Sequence, residues 1–230
     1  MRWLTYPGRW CILIVAAVLL VGLGYFTFGF NPPLKEMDPQ ELLQKALAST
    51  KGVKSYSYRI ETRLVTGGGT RCLSELDGVR ILPDRVSVKG KLFNTRVEII
   101  QVEGVTYIKD CFSTKWLALE GERLGETGVF ITELDPLVLL EFEEEPVVVW
   151  GKKERGKRKE LYSLEFRPRL KNRFLAAQFT EFEYRLWIEP KMCRIVEVEV
   201  TAKKRTSPVK LSIDLTLSDF GHPAKVEPPV

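Results

Sequence analysis

Strict alternation of apolar and polar residues is the sequence feature that most constrains what this chain can fold into. Between residues 210 and 217, leucine or isoleucine occupies every second position, and a polar or charged residue occupies the others. The same period of two recurs in residues 55–65, 181–188 and 194–200. A period of two places alternate side chains on opposite faces of a β-strand. The sequence therefore predicts long strands in a sheet that has one buried face.

Short connections between the strand-like segments predict that this sheet is antiparallel. Turn-forming residues separate the segments at positions 67–69, 94–95 and 103–104, and Glu103-Gly104 has the length of a tight hairpin. Parallel strands would need connections of roughly a dozen residues or more. We therefore expect about eleven antiparallel strands, in two runs.

Helices are predicted before and between the two runs of strands. Asp38-Pro39 has the form of an N-cap and a first-turn proline, and Gly52 is a plausible end for that helix. Asp135-Pro136 repeats the pattern before a short apolar segment, and residues 169–178 form a third candidate. So few helices cannot cover both faces of a long sheet. The predicted fold class is α+β: a strongly curved antiparallel half-barrel with helices on its concave side.

An apolar segment without charged residues, residues 10–30, precedes the predicted sheet. Its 21 residues are enough for a helix that spans the hydrocarbon of a bilayer, about 30 Å thick. Aromatic residues, rather than the small residues of a cleavage site, stand at its end. We predict an uncleaved signal-anchor, in which this segment is a transmembrane helix, in preference to a cleaved signal peptide.

The charges around this segment predict its orientation. Arg2 and Arg9 precede the span, and cytoplasmic flanks are the ones that carry the excess of lysine and arginine. Residues 1–9 are therefore predicted to be cytoplasmic, residues 31–37 to be a linker, and residues 38–230 to form an extracytoplasmic domain. The predicted localisation is the cell membrane, with a single pass.

The charge balance of the predicted external domain argues against nucleic acid as a partner. The chain has a formal net charge of +5, from 35 basic and 30 acidic residues. With Arg2 and Arg9 set aside, 33 basic residues remain against the same 30 acidic ones. A nucleic-acid-binding domain usually shows a clear basic excess, which this one lacks.

The sequence offers little material for catalysis. His222 is the only histidine, and P-loop, Gly-x-Gly-x-x-Gly and His-Glu-x-x-His motifs are all missing. We interpret His222 as an exposed turn residue, and we predict no catalytic residue, no cofactor and no metal site. Cys72, Cys111 and Cys193 allow one disulfide at most, so their redox state stays open.

The order of several segments resembles a known superfamily. These segments are the capped helix followed by "KGVKSYSYRIET", then "PDRVSVKG", "VEIIQVEGVTYIKD" and "KWLAL", the "LDPLVLLEF" helix, "RLWIEPKMCRIVEVEV" and the closing "VKLSIDLTLSDFGHPAKVEPP". Over about residues 38–230 the pattern is similar to the bacterial cell-envelope carriers of the LolA/LolB lipoprotein-sorting and LprG/LppX glycolipid-carrier types. The resemblance implies a half-barrel of about eleven strands, with helices over an apolar cavity for acyl chains or lipoproteins. Unlike the lipoprotein members, this chain has no cysteine after its apolar run.

The candidate ligand site is the apolar face that the strands turn towards the helices. If a gap remains there, it is a ligand cavity beneath residues 135–143, with the loop 120–133 as its gate; if not, the same residues are plain core. The residues expected to line it are Tyr56, Tyr58, Ile60, Leu64, Val86, Val88, Tyr107, Leu137, Leu140, Tyr184, Leu186, Val198, Ile213 and Leu215.

A cluster of basic residues at a hairpin tip is a second candidate site. It consists of Lys152, Lys153, Arg155, Lys157, Arg158 and Lys159. The functional interpretation is contact with anionic lipid headgroups or wall phosphates, and the alternative is a solvated turn that pairs with the acidic residues 141–145. For the whole domain, the sequence favours binding of a hydrophobic ligand. The alternative is an envelope-sensing or protein-interaction module that uses the same fold without a bound lipid.

Overall fold

The computed structural model describes residues 37–113, 115–120, 131–152, 160–222 and 225–229. The predicted span at residues 10–30, nearly all of the linker, most of the predicted gate loop and most of the basic tip lie outside these residues. Within the described ranges, no helix is both long and apolar enough to cross a membrane. The domain from Asp38 onward forms one compact unit.

Eleven antiparallel strands form a single sheet in the described part of the chain, which confirms the predicted number and direction. Their bounds are Ser55–Thr66 (β1), Gly69–Ile81 (β2), Arg85–Leu92 (β3), Thr95–Val102 (β4), Val105–Lys109 (β5), Trp116–Glu120 (β6), Val148–Trp150 (β7), Tyr162–Phe166 (β8), Phe179–Glu189 (β9), Arg194–Lys204 (β10) and Lys210–Ser218 (β11). The spatial order is β6-β5-β4-β3-β2-β1-β11-β10-β9-β8-β7. Consecutive strands are neighbours within each run, and β1 joins the two runs by pairing with β11.

Among the described residues, four helical segments accompany the sheet. They are α1 (Pro39–Lys51), α2 (Ile131–Leu134), a 3₁₀ helix (Pro136–Leu140) and α3 (Arg173–Gln178). The predicted N-cap of α1 is confirmed, because the Asp38 carboxylate accepts a 2.8 Å hydrogen bond from the Gln40 amide. The predicted repeat at Asp135-Pro136 is confirmed, because Asp135 is the N-cap residue of the 3₁₀ helix and Pro136 is its first residue. The Asp135 side chain also pairs with the guanidinium of Arg80, which is only 13% exposed, and it accepts a 3.5 Å hydrogen bond from the Tyr56 hydroxyl.

The strand register assigns every side chain of the sheet to one of two faces. Tyr58 lies opposite Leu217 on β11 and opposite Gly78 on β2, so these three residues share a face. We call it the helix-bearing face, because the helical segments pack on it. The other face, called the outer face, carries cross-strand ion pairs such as Arg59–Asp77 at 3.3 Å. The predicted alternation of β1 and β11 is thus confirmed.

Strand β10 departs from the predicted alternation. The sequence places Val196 on the same face as Val198 and Val200, yet the register shifts between Ile195 and Glu197. Ile195 is therefore fully buried opposite Ile188, while Val196 is half-buried. A β-bulge adds one unpaired residue and reverses the facing of all that precede it, and two adjacent β-branched residues give no sign of where it falls.

Candidate functional site

The structure brings nearly all of the predicted lining residues together on or above the helix-bearing face. Those from the strands are Tyr56, Tyr58, Ile60, Leu64, Val86, Val88, Tyr184, Leu186, Val198, Ile213 and Leu215, as the register shows. Leu137 and Leu140 come from the 3₁₀ helix, where both are buried. All of these residues are buried except Leu64, which is half-buried near the end of β1.

Tyr107 does not belong to this group, so its predicted position is wrong. It pairs with Ile100, which pairs with Ser87, and this row of side chains lies on the outer face. Its neighbour Ile108 instead pairs with Ile99 and occupies the helix-bearing face. Both residues are half-buried. Two adjacent apolar residues leave the facing of a short strand undecided, because either one can be the buried member of a period of two.

The centre of the helix-bearing face is closely covered by the segment 131–143. Leu139 and Leu140 of the 3₁₀ helix expose 0% and 1% of their surface, and Leu186 beneath them exposes 0%. The Phe142 ring makes edge contacts with Phe166 and Tyr184 at 5.4 and 5.6 Å between centroids. Side chains of the segment and side chains of the sheet are thus both buried at this contact, as in a packed protein core.

Two tyrosine hydroxyls hold this segment in place. Tyr58 donates a hydrogen bond to the Glu133 carbonyl at 2.6 Å, and Tyr184 donates one to the Leu139 carbonyl at 3.0 Å. Burial raises the pKa of both tyrosines above the ordinary range, so both stay protonated donors at any physiological pH. Each bond satisfies a carbonyl that short helical segments leave without an internal partner.

A buried polar cluster lies beneath the start of the same segment. The Glu133 carboxyl accepts hydrogen bonds from Thr132 at 2.7 Å and Ser74 at 3.3 Å, and burial raises its pKa. The Asp135 carboxylate lies 3.2 Å from the Arg80 guanidinium. Burial raises the pKa of Asp135 as well, and the charge of Arg80 opposes that shift.

Sequence reasoning missed this cluster because it looked only for apolar residues on the buried face. Arg80 follows Leu76 and Gly78 in the same period of two, and its side chain is only 13% exposed. This pattern places the charge of Arg80 on the buried face of the strand. A buried cation needs an anionic partner, so the pattern was a signal that a carboxylate would lie nearby. Glu133 gave no comparable sign, because it precedes the segment in which a helix was predicted.

The far end of the helix-bearing face is covered much less. Five apolar side chains from β4, β5 and β6 share this face, and we call them the apolar strip: Val97, Ile99, Ile108, Leu117 and Leu119. The first three are half-buried, whereas Leu117 and Leu119 expose 58% and 42% of their surface. An elongated row of exposed apolar side chains on a sheet face is suited to contact with hydrocarbon.

Comparison with solved structures assigns the fold. The chain matches LprF from Mycobacterium bovis with a TM-score of 0.55 and 14% identity, over 83% of this chain and 96% of LprF. It matches the lipoprotein LppX from Mycobacterium tuberculosis with a TM-score of 0.58 and 15% identity, over 83% of this chain and 100% of LppX. The described domain has the LprF/LppX fold. This confirms the fold that the sequence resemblance predicted, although no protein-family model and no curated protein sequence matches the chain.

The outer face of the sheet carries open grooves that, unlike the apolar strip, are lined by charged side chains. One of them, of about 720 Å³, runs across β7 to β10. Arg185 lies in it between Glu165, at 2.9 Å, and Glu199, at 3.8 Å. Ion pairs of this kind hold water around them, so the groove is a poor place for an acyl chain, despite its size.

The remaining predicted sites lie apart from both regions. Lys152 is exposed at the end of the described part of the basic tip, and residues 153–159 lie outside the described residues. His222 is exposed as predicted, and its carbonyl accepts a 2.9 Å hydrogen bond from the Ser55 hydroxyl. Cys72 and Cys111 are exposed and Cys193 is buried, and none of the three forms a disulfide.

Proposed function

We propose that this chain is a membrane-anchored extracytoplasmic protein that binds a hydrophobic ligand, either lipid acyl chains or the acyl groups of a lipoprotein, between its sheet and its helices. The observation that carries the proposal is the apolar strip. It continues the buried face of the sheet beyond the segment 131–143, and Leu117 and Leu119 remain open to solvent there. The likeness to LprF and LppX supports the fold in which such a site is placed.

The proposed anchor is the apolar segment 10–30, with the N-terminus in the cytoplasm and residues 38–230 outside. Its support is the absence of charge over 21 residues and the two arginines that precede it. A protein helix holds the domain at one membrane, since a spanning helix does not leave the bilayer as a single acyl anchor does. The domain that binds the proposed ligand therefore stays at one membrane.

We also propose that the sheet bends into a half-barrel around the ligand. Two glycines inside strands support this curvature. A Cβ at Gly78 would collide with the ring of Tyr58, and one at Gly90 would collide with the backbone at Glu75. Glycine inside a strand marks positions of bending and close approach, and both glycines lie in the strands between the covered centre and the apolar strip.

Transfer of the hydrocarbon provides the binding energy in this mechanism. Each methylene removed from water contributes about 0.8 kcal/mol, so an acyl chain laid along the strip binds without any polar contact. Tyr58 and Tyr184 keep the neighbouring segment fixed by their hydrogen bonds. The ligand therefore meets a preformed wall at one end of its site.

Native mass spectrometry of the full chain, extracted from its host membranes, tests this function. We expect a co-bound lipid in the wild type. The variant Ile108→Glu places a charge in the apolar strip and should lose most of that lipid. The matched control is Tyr107→Glu, because this adjacent residue is equally half-buried but lies on the outer face. Lipid held by the anchor alone is the same in both variants.

Two outcomes would contradict the proposal. The first is equal lipid retention by the two variants. The second is a wild-type chain that is stoichiometrically free of lipid. A lipid-free chain that forms a discrete crosslink to one envelope protein in cells would instead favour the sensing or protein-interaction module.

A further inference from the structure

The two ends of the sheet expose different surfaces, and the end at β7 has the features of a membrane contact. Strand β7 is the last in the spatial order. Val147, just before it, is 85% exposed, and Val149 and Trp150 within it are 54% and 39% exposed. The Trp150 ring lies 5.9 Å from the ring of Tyr162 on β8. Aromatic rings beside exposed aliphatic side chains are suited to the boundary between headgroups and acyl chains.

The beginning of the domain lies at the same end. Helix α1 packs beside β7, and its Gln44 amide donates a 2.8 Å hydrogen bond to the Glu145 carboxylate. Gln40, in the first turn of α1, also hydrogen-bonds to Glu145. The start of the domain therefore lies close in space to Glu145, which is two residues before Val147.

Chain length then limits how far this end can be from the bilayer. Seven residues, 31–37, separate the proposed span from Asp38, and an extended chain covers at most about 3.6 Å per residue. Asp38, the N-cap at the start of α1, is eight residues after Phe30 and must therefore lie within about 29 Å of the end of the span. The exposed side chains of β7 are next to that start, and the opposite end of the sheet is not bound by this limit.

The local charge identifies the kind of bilayer. Lys152 follows β7 and is exposed, and the sequence continues with further basic residues after it. The acidic residues before β7 are partly engaged, since Glu144 pairs with Arg169 at 3.2 Å and Glu145 is held by α1. Basic side chains near an anionic membrane surface contribute about 1 kcal/mol each.

We propose that the β7 edge, defined as Val147, Val149, Trp150 and Lys152, rests on the anionic surface of the membrane that anchors the chain. This inference rests on the anchor in the proposed function. This contact orients the domain. Strand β7 faces the bilayer, and the β3–β4 turn faces away from it.

Photo-crosslinking in lipid nanodiscs tests this orientation. The full chain is incorporated with benzoylphenylalanine in place of either Val149 or Phe93. Phe93 is the matched control, because it is 53% exposed but lies at the β3–β4 turn, and six strands lie between β3 and β7 in the spatial order. We expect lipid adducts at position 149 to exceed those at position 93 several-fold in discs that contain phosphatidylglycerol. The excess should shrink in discs of phosphatidylcholine alone and in the variant Lys152→Glu.

Each failure has its own signature. Equal adducts at positions 149 and 93, in a chain that is incorporated in discs, overturn the orientation and leave the hydrophobic-ligand function standing. An excess that does not depend on phosphatidylglycerol overturns the anionic part of the inference. A chain that stays outside the discs overturns the anchor, and with it this inference, whatever lipid the domain retains.

Discussion

The covered centre and the open end of the helix-bearing face belong to one continuous sheet, yet their burial differs completely. At the centre, Leu186 and Ile60 expose 0% of their surface. At the end, Leu117 exposes 58% although it continues the same face. The strand register places both sets of side chains on one face, so the register determines the facing of a side chain but not its burial. Burial depends on whether another segment is held over that face.

Both apolar packing and polar contacts hold a segment over the centre, where Leu139 and Leu140 are buried. The segment 131–143 is fixed by the hydroxyls of Tyr58 and Tyr184 and by the ion pair of Asp135 with Arg80. No described contact of this kind reaches from the segment to the apolar strip. The comparison teaches that this sheet becomes core where a segment both packs on its face and is fixed there by buried hydrogen bonds, and that it stays available to a ligand where no such segment is held.

Truncating one leucine in each region should give the largest contrast. Leu186→Ala removes side-chain volume from a fully buried position and should lower the free energy of unfolding by about 2–5 kcal/mol. Leu117→Ala acts on an exposed side chain and should change it by less than about 1 kcal/mol. Denaturant titration of the full chain in detergent measures both. Similar losses in the two variants would show that the apolar strip is buried core, and would contradict the difference in burial between the two regions.

A methyl group at Gly78 tests the boundary between the regions. Gly78→Ala forces the Tyr58 ring away, and this ring cannot simply rotate, because its hydroxyl is bonded to the Glu133 carbonyl. We expect a loss of about 1–3 kcal/mol in the free energy of unfolding, as for other overpacked sites. The control is Gly67→Ala, because no atom lies within 4 Å of a Cβ there. A Gly78→Ala chain as stable as this control would mean that the position of the Tyr58 ring does not hold the segment 131–143 in place.

Much of the fold follows from the sequence because it depends on local rules. The eleven strands, the hairpin at Glu103-Gly104 and the cap at Asp38 come from period, turn chemistry and helix capping. At the hairpin, the φ angles of +53° and +78° are those of the predicted tight turn. These features involve neighbours in sequence, so a pattern of a few residues is enough to predict them.

The parts that the sequence did not predict depend on contacts between distant residues. The bulge at Val196 is set by its partner strand, and the facing of Tyr107 by a register that passes through three other strands. The ion pair of Asp135 with Arg80, 55 positions away by number, is a contact that the position of Asp135 at the start of a helix does not predict. A charge that is removed from water needs a partner, and the tertiary fold supplies it.

The smallest predicted effect concerns the pH dependence of the free energy of unfolding, which arises from Glu133 in the segment that covers the centre. Burial raises the pKa of Glu133 above its ordinary value of 4.5, so the folded state binds a proton that the unfolded state has released. Stability from this group is therefore complete below about pH 4.5 and falls as the pH rises towards the shifted pKa. Asp135 acts in the same direction, because burial raises its pKa too.

The variant Glu133→Gln isolates this contribution. Glutamine keeps an acceptor for Thr132 and Ser74 and cannot ionise, so the slope of the unfolding free energy between pH 4.5 and 7 should decrease, with a remainder from Asp135. The control Glu41→Gln, on the exposed side of α1, should keep the wild-type slope. Denaturant titrations at several pH values measure all three chains. An unchanged slope in Glu133→Gln would show that this carboxyl is solvated in the folded protein, and that the segment 131–143 covers the centre less firmly than its contacts indicate.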